Sequence, residues 1–299
     1  MVSSYLLPDE CWEIIFKFII DDDDYDTRHS RVTRKFLHLN SLSLVSKQFL
    51  SITNRLRFSL SLAFTLPFDS YKLTVLHSFF KRFTNLNSLN LTWCRIDLSN
   101  FLIKISCFPL NQLTSLNLSN QDTIPANGLR AFSQKITTLT SLTCSQIDFL
   151  DTSDLFLIAE CFPLLEELDL CWPLRCKNYG SYVDGVEALS IALIKLRKVN
   201  ITRFPINNQS LFHLFNNCKY LEEVIMFGCD EITSEGLASA VRERSTLRSL
   251  SFSNMKVREV FTTSQFIDSL VSLKGLTSLV LDHLNISDEL LLTFFFELQ

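Results

Sequence analysis

Glycine is scarce in this chain, with six among 299 residues (128, 180, 185, 228, 236 and 275), and none of them forms GxGxxG or GxxxxGK. No nucleotide-cradling loop is therefore expected. The five histidines (29, 38, 77, 213 and 283) make no HxxxH or HxH pair, and no GxSxG turn occurs. This argues against a zinc site or a serine nucleophile, and His213 reads as an ordinary residue of a helix. Excess positive charge is also missing. A net charge of -4 and a pI near 5.8 provide no basic footprint for nucleic acid. Long apolar runs are absent too. MVSSYLLPDECWE reaches Asp9 and Glu10 before a signal-peptide core could form, and nothing approaches the roughly 18–20 apolar residues of a membrane span. A soluble, unexported protein of the cytoplasm or nucleus is expected. No CxxC pair exists among the nine cysteines, and their odd number argues against a disulfide framework. The five N-x-S/T sequons, at Asn90, Asn117, Asn200, Asn208 and Asn285, then read as by-products of a Leu-, Asn- and Ser-rich pattern.

What the chain has in abundance is one recurring phrase. LNSLNL (86–91) returns as LTSLNL (113), LTSLTC (139), LEELDL (165), LRKVNI (196), LEEVIM (221), LRSLSF (247) and LTSLVL (276), at steps of 27, 26, 26, 31, 25, 26 and 29 residues. A weaker copy, RFSLSL, occupies 57–62. The end of each phrase alternates with period two, so Leu89 and Leu91, or Leu168 and Leu170, share one side of a short strand. Between phrases, SNFLIKISCFP, TSDLFLIAECFP and NQSLFHLFNNCKY place apolar residues at helical spacing after a Ser, Thr or Asn start. One strand and one helix of this size cannot bury their apolar faces alone, so neighbouring units must stack.

The pattern resembles leucine-rich repeats. It is most similar to the cysteine-containing class, on the order of Cys229, Ile232, Thr233, Gly236 and Leu237 in LEEVIMFGCDEITSEGLASAV. LDLCWP and LNLTWC keep a cysteine near the strand end without the I-T-x-x-G-L phrase. The cysteines, Trp93 and Trp172 read as core and edge packing. An α/β leucine-rich-repeat solenoid, a horseshoe of parallel strands with outer helices and about eight to nine repeats over 57–299, is expected.

Residues 1–56 differ. Pro8, Asp9 and Glu10 suit a helix start, and the segment after them is apolar on nearly every face, from Cys11 and Trp12 to Ile19 and Ile20. A helix this oily asks for a partner. Leu39, Leu42, Val45, Phe49 and Ile52 then recur at three- and four-residue steps, with Ser46 and Lys47 on the wetter side. LPDECWEIIFKFI together with SLSLVSKQFLSITNRLRFSL resembles a plant-type F-box, which opens L-P-x-E/D and closes S-L-V-x-K-x-F. The resemblance implies a small all-α domain that docks a Skp-type adaptor through Leu7, Pro8, Asp9, Glu10, Ile14, Ile15, Leu44, Val45, Lys47 and Phe49. It further implies that the adaptor bridges to a cullin and RING subunit while the repeats hold a protein substrate. Between the two halves lies a charged insert at about 21–38, opening with DDDDYD. That run lacks the glycine and the terminal glutamate of a calcium loop, and contiguous carboxylates cannot converge on one ion. It reads as a solvated insert, with no metal and no cofactor.

Outward positions of each strand are the third, fifth and seventh places of the phrase. Ser88, Asn90 and Thr92, then Ser115, Asn117 and Ser119, then Ser141, Thr143 and Ser145, are small and neutral. The next rows change to Glu167, Asp169 and Cys171, then Lys198, Asn200 and Thr202, then Glu223, Ile225 and Phe227. An apolar pair rimmed by charge is the expected substrate surface, made of Glu167, Asp169, Lys198, Glu223, Ile225 and Phe227. The function implied is that of a non-catalytic, substrate-recognition subunit of an SCF-type ubiquitin ligase, leading to proteasomal degradation. The alternatives are a repeat scaffold or decoy whose F-box does not engage the adaptor, and a small-molecule receptor. The final LLLTFFFELQ has no polar capping repeat, so either Phe294, Phe295 and Phe296 close the core or the array once continued.

Overall fold

The computed structural model describes residues 7–21, 39, 41–56, 58–62, 80–83, 85–94, 96–176, 182–242, 244–253 and 264–282. The acidic run beyond Asp21, the basic stretch after it and the phenylalanine-rich end lie outside these residues.

Among the described residues the chain opens with α1 (Asp9–Asp21) and α2 (Lys47–Arg55), and residues 41–43 are also helical between them. Their own small core consists of Phe16, Leu39, Ile52 and Leu56, with Trp12, Leu42 and Phe49 packed against it. The three rings of Trp12, Phe16 and Phe49 meet at 4.6–6.0 Å between centroids. One expected amphipathic stripe is interrupted. Val45 is 65% exposed because the helix does not run through it: Ser46 adopts an extended backbone and its hydroxyl accepts from the Phe49 N–H, starting α2 afresh. Asn85 donates to the Arg55 carbonyl and Arg82 to the Asn54 side chain, which seats α2 on the first repeats.

The rest is a solenoid. Among the described residues nine strands form one parallel sheet: β1 (Ser59–Ser61), β2 (Ser88–Asn90), β3 (Ser115–Asn117), β4 (Ser141–Thr143), β6 (Glu167–Asp169), β8 (Lys198–Asn200), β9 (Glu223–Phe227), β10 (Ser249–Ser253) and β11 (Ser278–Asp282). The fourth-place residue pairs across the whole sheet, through Leu60, Leu89, Leu116, Leu142, Leu168, Val199, Val224, Leu250 and Leu279. All but Leu279, on the last described strand, are buried, each Leu being worth about 1.5–3 kcal/mol. A second, two-stranded pair, β5 (Phe149–Leu150) with β7 (Arg175–Cys176), was not foreshadowed by the phrase.

Among the described residues the longer helices of the solenoid are α3 (Leu98–Ile105), α4 (Ala126–Ser133), α5 (Thr152–Cys161), α6 (Tyr182–Ala192), α7 (Asn208–Asn217), α8 (Ser234–Val241) and α9 (Ser264–Val271). Side chains cap several of their N-termini, at Asp97, Asp151, Asn207 and Thr233. At Asp151 the cap is reciprocal, since Asp154 reaches back to the Asp151 N–H. Close helix approach explains Gly236: an added Cβ would lie 2.0 Å from Asn208 Oδ1, which accepts from the Thr233 N–H while its amide donates to the Thr233 hydroxyl.

Six successive strands, β2, β3, β4, β6, β8 and β9, end in a related turn. At the fifth place Asn90, Asn117, Asp169 and Asn200 accept, through a side-chain oxygen, from the N–H two residues on, at 2.9–3.2 Å. The eighth place then takes a left-handed backbone in six successive repeats, at Trp93, Asn120, Gln146, Trp172, Arg203 and Gly228, with φ of 55–65°. Its N–H donates to the seventh-place carbonyl of the next repeat every time, which extends the ladder past the strands. Left-handed backbone costs a residue with a Cβ roughly 1–2 kcal/mol, so the choice of tryptophan and arginine here is notable.

The ninth place gives two of the cysteines a shared role. Cys94 and Cys229 donate to the sixth-place carbonyl of the preceding repeat, Leu62 and Ile201, and Gln121 does the same to Leu91. Cys171 stands at the seventh place and is not their equivalent, although LDLCWP and LNLTWC look alike in sequence. Burial pushes the thiols of Cys218 and Cys229 up to about 12, and that of Cys144 further.

Candidate functional site

Two surfaces are candidates. The first is on α1. Trp12 and Phe16, one turn apart, form its inward stripe; Ile14 and Phe18 lie on the opposite face, while Ile15 and Ile19, each three residues on from Trp12 and Phe16, flank the stripe and are less exposed. Ile14 and Phe18 are 68% and 69% accessible. Leu7, at the entry to α1, and the Leu44–Val45 turn are also exposed, Leu44 at 87%. Polar contacts bring these parts together. Gln48 donates to Asp9 at 2.8 Å, and the Arg55 guanidinium reaches both Asp9 at 3.0 Å and Glu13 at 2.7 Å. The Gln48 amide, then Arg55, hold the Asp9 carboxyl below its ordinary range, and Glu13 and Asp9 together raise Arg55.

The expected adaptor-facing residues thus divide into two groups. Leu7, Pro8, Glu10, Ile14, Ile15, Leu44, Val45 and Lys47 face solvent. Asp9 is engaged within the chain, and Phe49 stacks inward on Trp12 and Phe16, where it serves the small core. Phe18 and Ile19, which belong to the same exposed surface, were visible only as part of an all-round apolar helix. Which face turns inward depends on where Trp12 and Phe16 find Phe49.

The second surface is the concave face from β6 to β9. Register aligns Glu167 with Lys198 and Lys198 with Glu223. Lys198 Nζ lies 3.4 Å from Glu167 and 3.9 Å from Glu223, all three side chains being substantially exposed, so each pair contributes under about 1 kcal/mol. Asn200 donates to Asp169 at 3.0 Å. Ile225 and Phe227 are half-buried on the next strand, between Asn200 and the row of Ser251 and Ser253. The six expected residues therefore share one face of three adjoining strands. The seventh place departs from expectation: Ser119 and Thr202 are buried, because the turn after the strand has already begun to curl inward. Cys171, also at that place, has its thiol pushed up to about 12 by burial and by Asp169.

Trp93 and Trp172 correct a second expectation. They are not packing residues but stand 58% and 42% exposed at the left-handed eighth place. Aligning the repeats on Gly228 would have exposed the anomaly, since a tryptophan occupies the place where glycine is easiest. Beside Trp93 a groove of about 1000 Å³ is lined by Asp97, Asn100, Lys104, Asn120 and Asp122. Its Asp97 is occupied in capping α3, and Gln121 in bridging to the preceding repeat. Among the described residues no group of three or more His, Cys, Asp and Glu side chains could hold a metal ion, and no helix is long and apolar enough to cross a membrane.

No protein-family model matches the chain, and no curated protein matches it in sequence. Solved structures do. The chain is similar to one in the crystal structure of the Rad7 and Elc1 complex from yeast, with a TM-score of 0.61 and 17% identity over 96% of this chain and 79% of that one. A leucine-rich repeat-containing protein from Legionella pneumophila, LegL7, aligns at a TM-score of 0.46 and 13% identity, over 87% of this chain and 93% of its own. At 17% identity the yeast likeness concerns the fold alone, and the stacked strand-and-helix units around one parallel sheet make that fold a leucine-rich-repeat solenoid.

Proposed function

We propose that this protein is a substrate-recognition subunit of an SCF-type ubiquitin ligase. On this reading α1, the Leu44–Val45 turn and α2 are the two halves of an F-box, and they dock a Skp-type adaptor that leads to a cullin and RING subunit. The observation that carries it is the face of α1 bearing Ile14, Ile15, Phe18 and Ile19, exposed on a helix whose other stripe already has its core. A face this apolar on a small helical unit marks an interface. The similar yeast chain was solved as a complex of two proteins, which accords with a solenoid of this kind carrying a partner.

The repeats would hold the target over β6, β8 and β9, where Ile225 and Phe227 are bordered by Glu167, Asp169, Lys198 and Glu223. No group on the chain needs to do chemistry in this scheme. Holding a target lysine near a ubiquitin-loaded enzyme raises its local concentration, and the reaction becomes in effect intramolecular. Reconstitution tests the assignment. With adaptor, cullin, RING subunit and conjugating enzyme present, ubiquitin should be attached to this chain or its captured target only when the adaptor is included. Equal transfer without the adaptor would speak for a free-standing scaffold.

A further inference from the structure

The eighth place of the repeats is a ridge beside the concave face, and its occupants differ in how well they suit a left-handed backbone. Gly228 fits without a Cβ and Asn120 tolerates it, whereas Trp93, Trp172 and Arg203 are bulky there. Two of the three tryptophans in the chain occupy this ridge. A strained, exposed, costly residue asks for a use.

The observations converge at Trp172 and Arg203. The Arg203 guanidinium carbon sits 3.9 Å from the centre of the Trp172 ring. Their backbones are fixed on neighbouring repeats, Trp172 N–H donating to the Thr202 carbonyl at 2.8 Å and Arg203 N–H to the Phe227 carbonyl at 2.7 Å. Other arginines of this region are neutralised, Arg197 by Glu222 and Arg175 by Asp148. Arg203 forms no ion pair among the described residues. It is thus a guanidinium placed over an indole ring with no carboxylate paired to it among the described residues, near the exposed Leu174 two residues on from Trp172 and the half-buried Phe227. Tryptophan and arginine are the side chains most often found at the energetic centre of protein interfaces, and a stacked guanidinium keeps its edge donors free for a carboxylate.

We propose that the Trp172–Arg203 ridge docks an acidic segment of a partner protein, with a carboxylate received by Arg203 and an adjoining apolar side chain laid on the exposed part of Trp172. Charge sets the polarity. Glu167, Asp169 and Glu223 on the neighbouring floor outnumber Lys198 and would repel a carboxylate placed there, whereas a basic segment would meet Arg203 on the ridge. The proposal deepens the reading that these repeats hold a target protein and rests on it. It does not rest on the adaptor.

The test is selection of a displayed random dodecapeptide library on the full chain, followed by affinity measurement of the enriched peptides. Arg203→Asn is the decisive variant, because asparagine accepts the left-handed backbone and the melting temperature should hold or rise. The enriched peptides should carry Asp or Glu within two residues of an aromatic or aliphatic side chain. They should lose at least tenfold in affinity to Arg203→Asn and to a folded Trp172→Asn, and weaken between 50 and 300 mM salt. Arg203→Lys should restore only part of the binding. Enriched peptides without acidic residues, equal affinity for Arg203→Asn, or no enrichment would each overturn the proposal. Binders lost to Ile225→Ser but indifferent to Arg203→Asn would overturn it while leaving target capture by the repeats intact.

Discussion

Single residues carry much of what makes one repeat fit the next. Gly236 has Asn208 where its side chain would be, so Gly236→Ala should displace Asn208 and break its two bonds to Thr233. A loss of roughly 1–3 kcal/mol in urea denaturation is expected, and an unchanged midpoint would mean that α7 and α8 can part at little cost. The thiols give a second test. Cys94, Cys144, Cys218 and Cys229 are buried and Cys107 is exposed; the upward shifts of Cys144, Cys218 and Cys229 leave little thiolate at neutral pH. Mass spectrometry after brief iodoacetamide treatment at pH 7.5 should find Cys107 labelled and these four labelled only after unfolding. The sequence had presented all nine cysteines as one class. Their separation into thiols reaching a preceding carbonyl, like Cys94 and Cys229, and others such as Cys171 depends on counting places from the strand.

At the scale of elements, strand and helix alternation was legible because the leucines alone carry both periods. Leu168, at the fourth place of a central strand, is buried between its neighbours in the sheet, and Leu168→Ala should cost about 2–5 kcal/mol. Less legible was anything that depends on turns. The left-handed eighth place has no fixed residue type, so Trp172 read as packing, and the restart of α2 at Ser46 turned Val45 outward against the helical spacing. The pairing of α1 with α2 is electrostatic as well as apolar. The Asp9 pKa in the folded chain lies below its ordinary 3.8, so the ionised carboxylate supports the pairing above that pH, and the support is lost as pH falls through the folded value. Acid titration followed by Trp12 fluorescence should report loosening below about pH 3.8. In Asp9→Asn, that step should be absent.

For the whole molecule, the chain divides into a small helical unit with an uncovered apolar face and a solenoid whose charged rows are concentrated in β6, β8 and β9. The division was readable from composition, since residues 1–56 lack the phrase that recurs afterwards. Which side of α1 is uncovered was not, because Ile14 and Phe16 are equally apolar in sequence and only the aromatic contact with Phe49 tells them apart. The proposed adaptor docking depends on that face. Titration calorimetry of the full chain with a purified Skp-type adaptor, beside Ile14→Glu and Leu44→Glu variants of unchanged circular dichroism, tests it most directly. The native chain should bind, and each variant should lose at least tenfold, about 1.4 kcal/mol or more. A native chain that does not bind, or variants that bind as tightly as it does, would contradict the account.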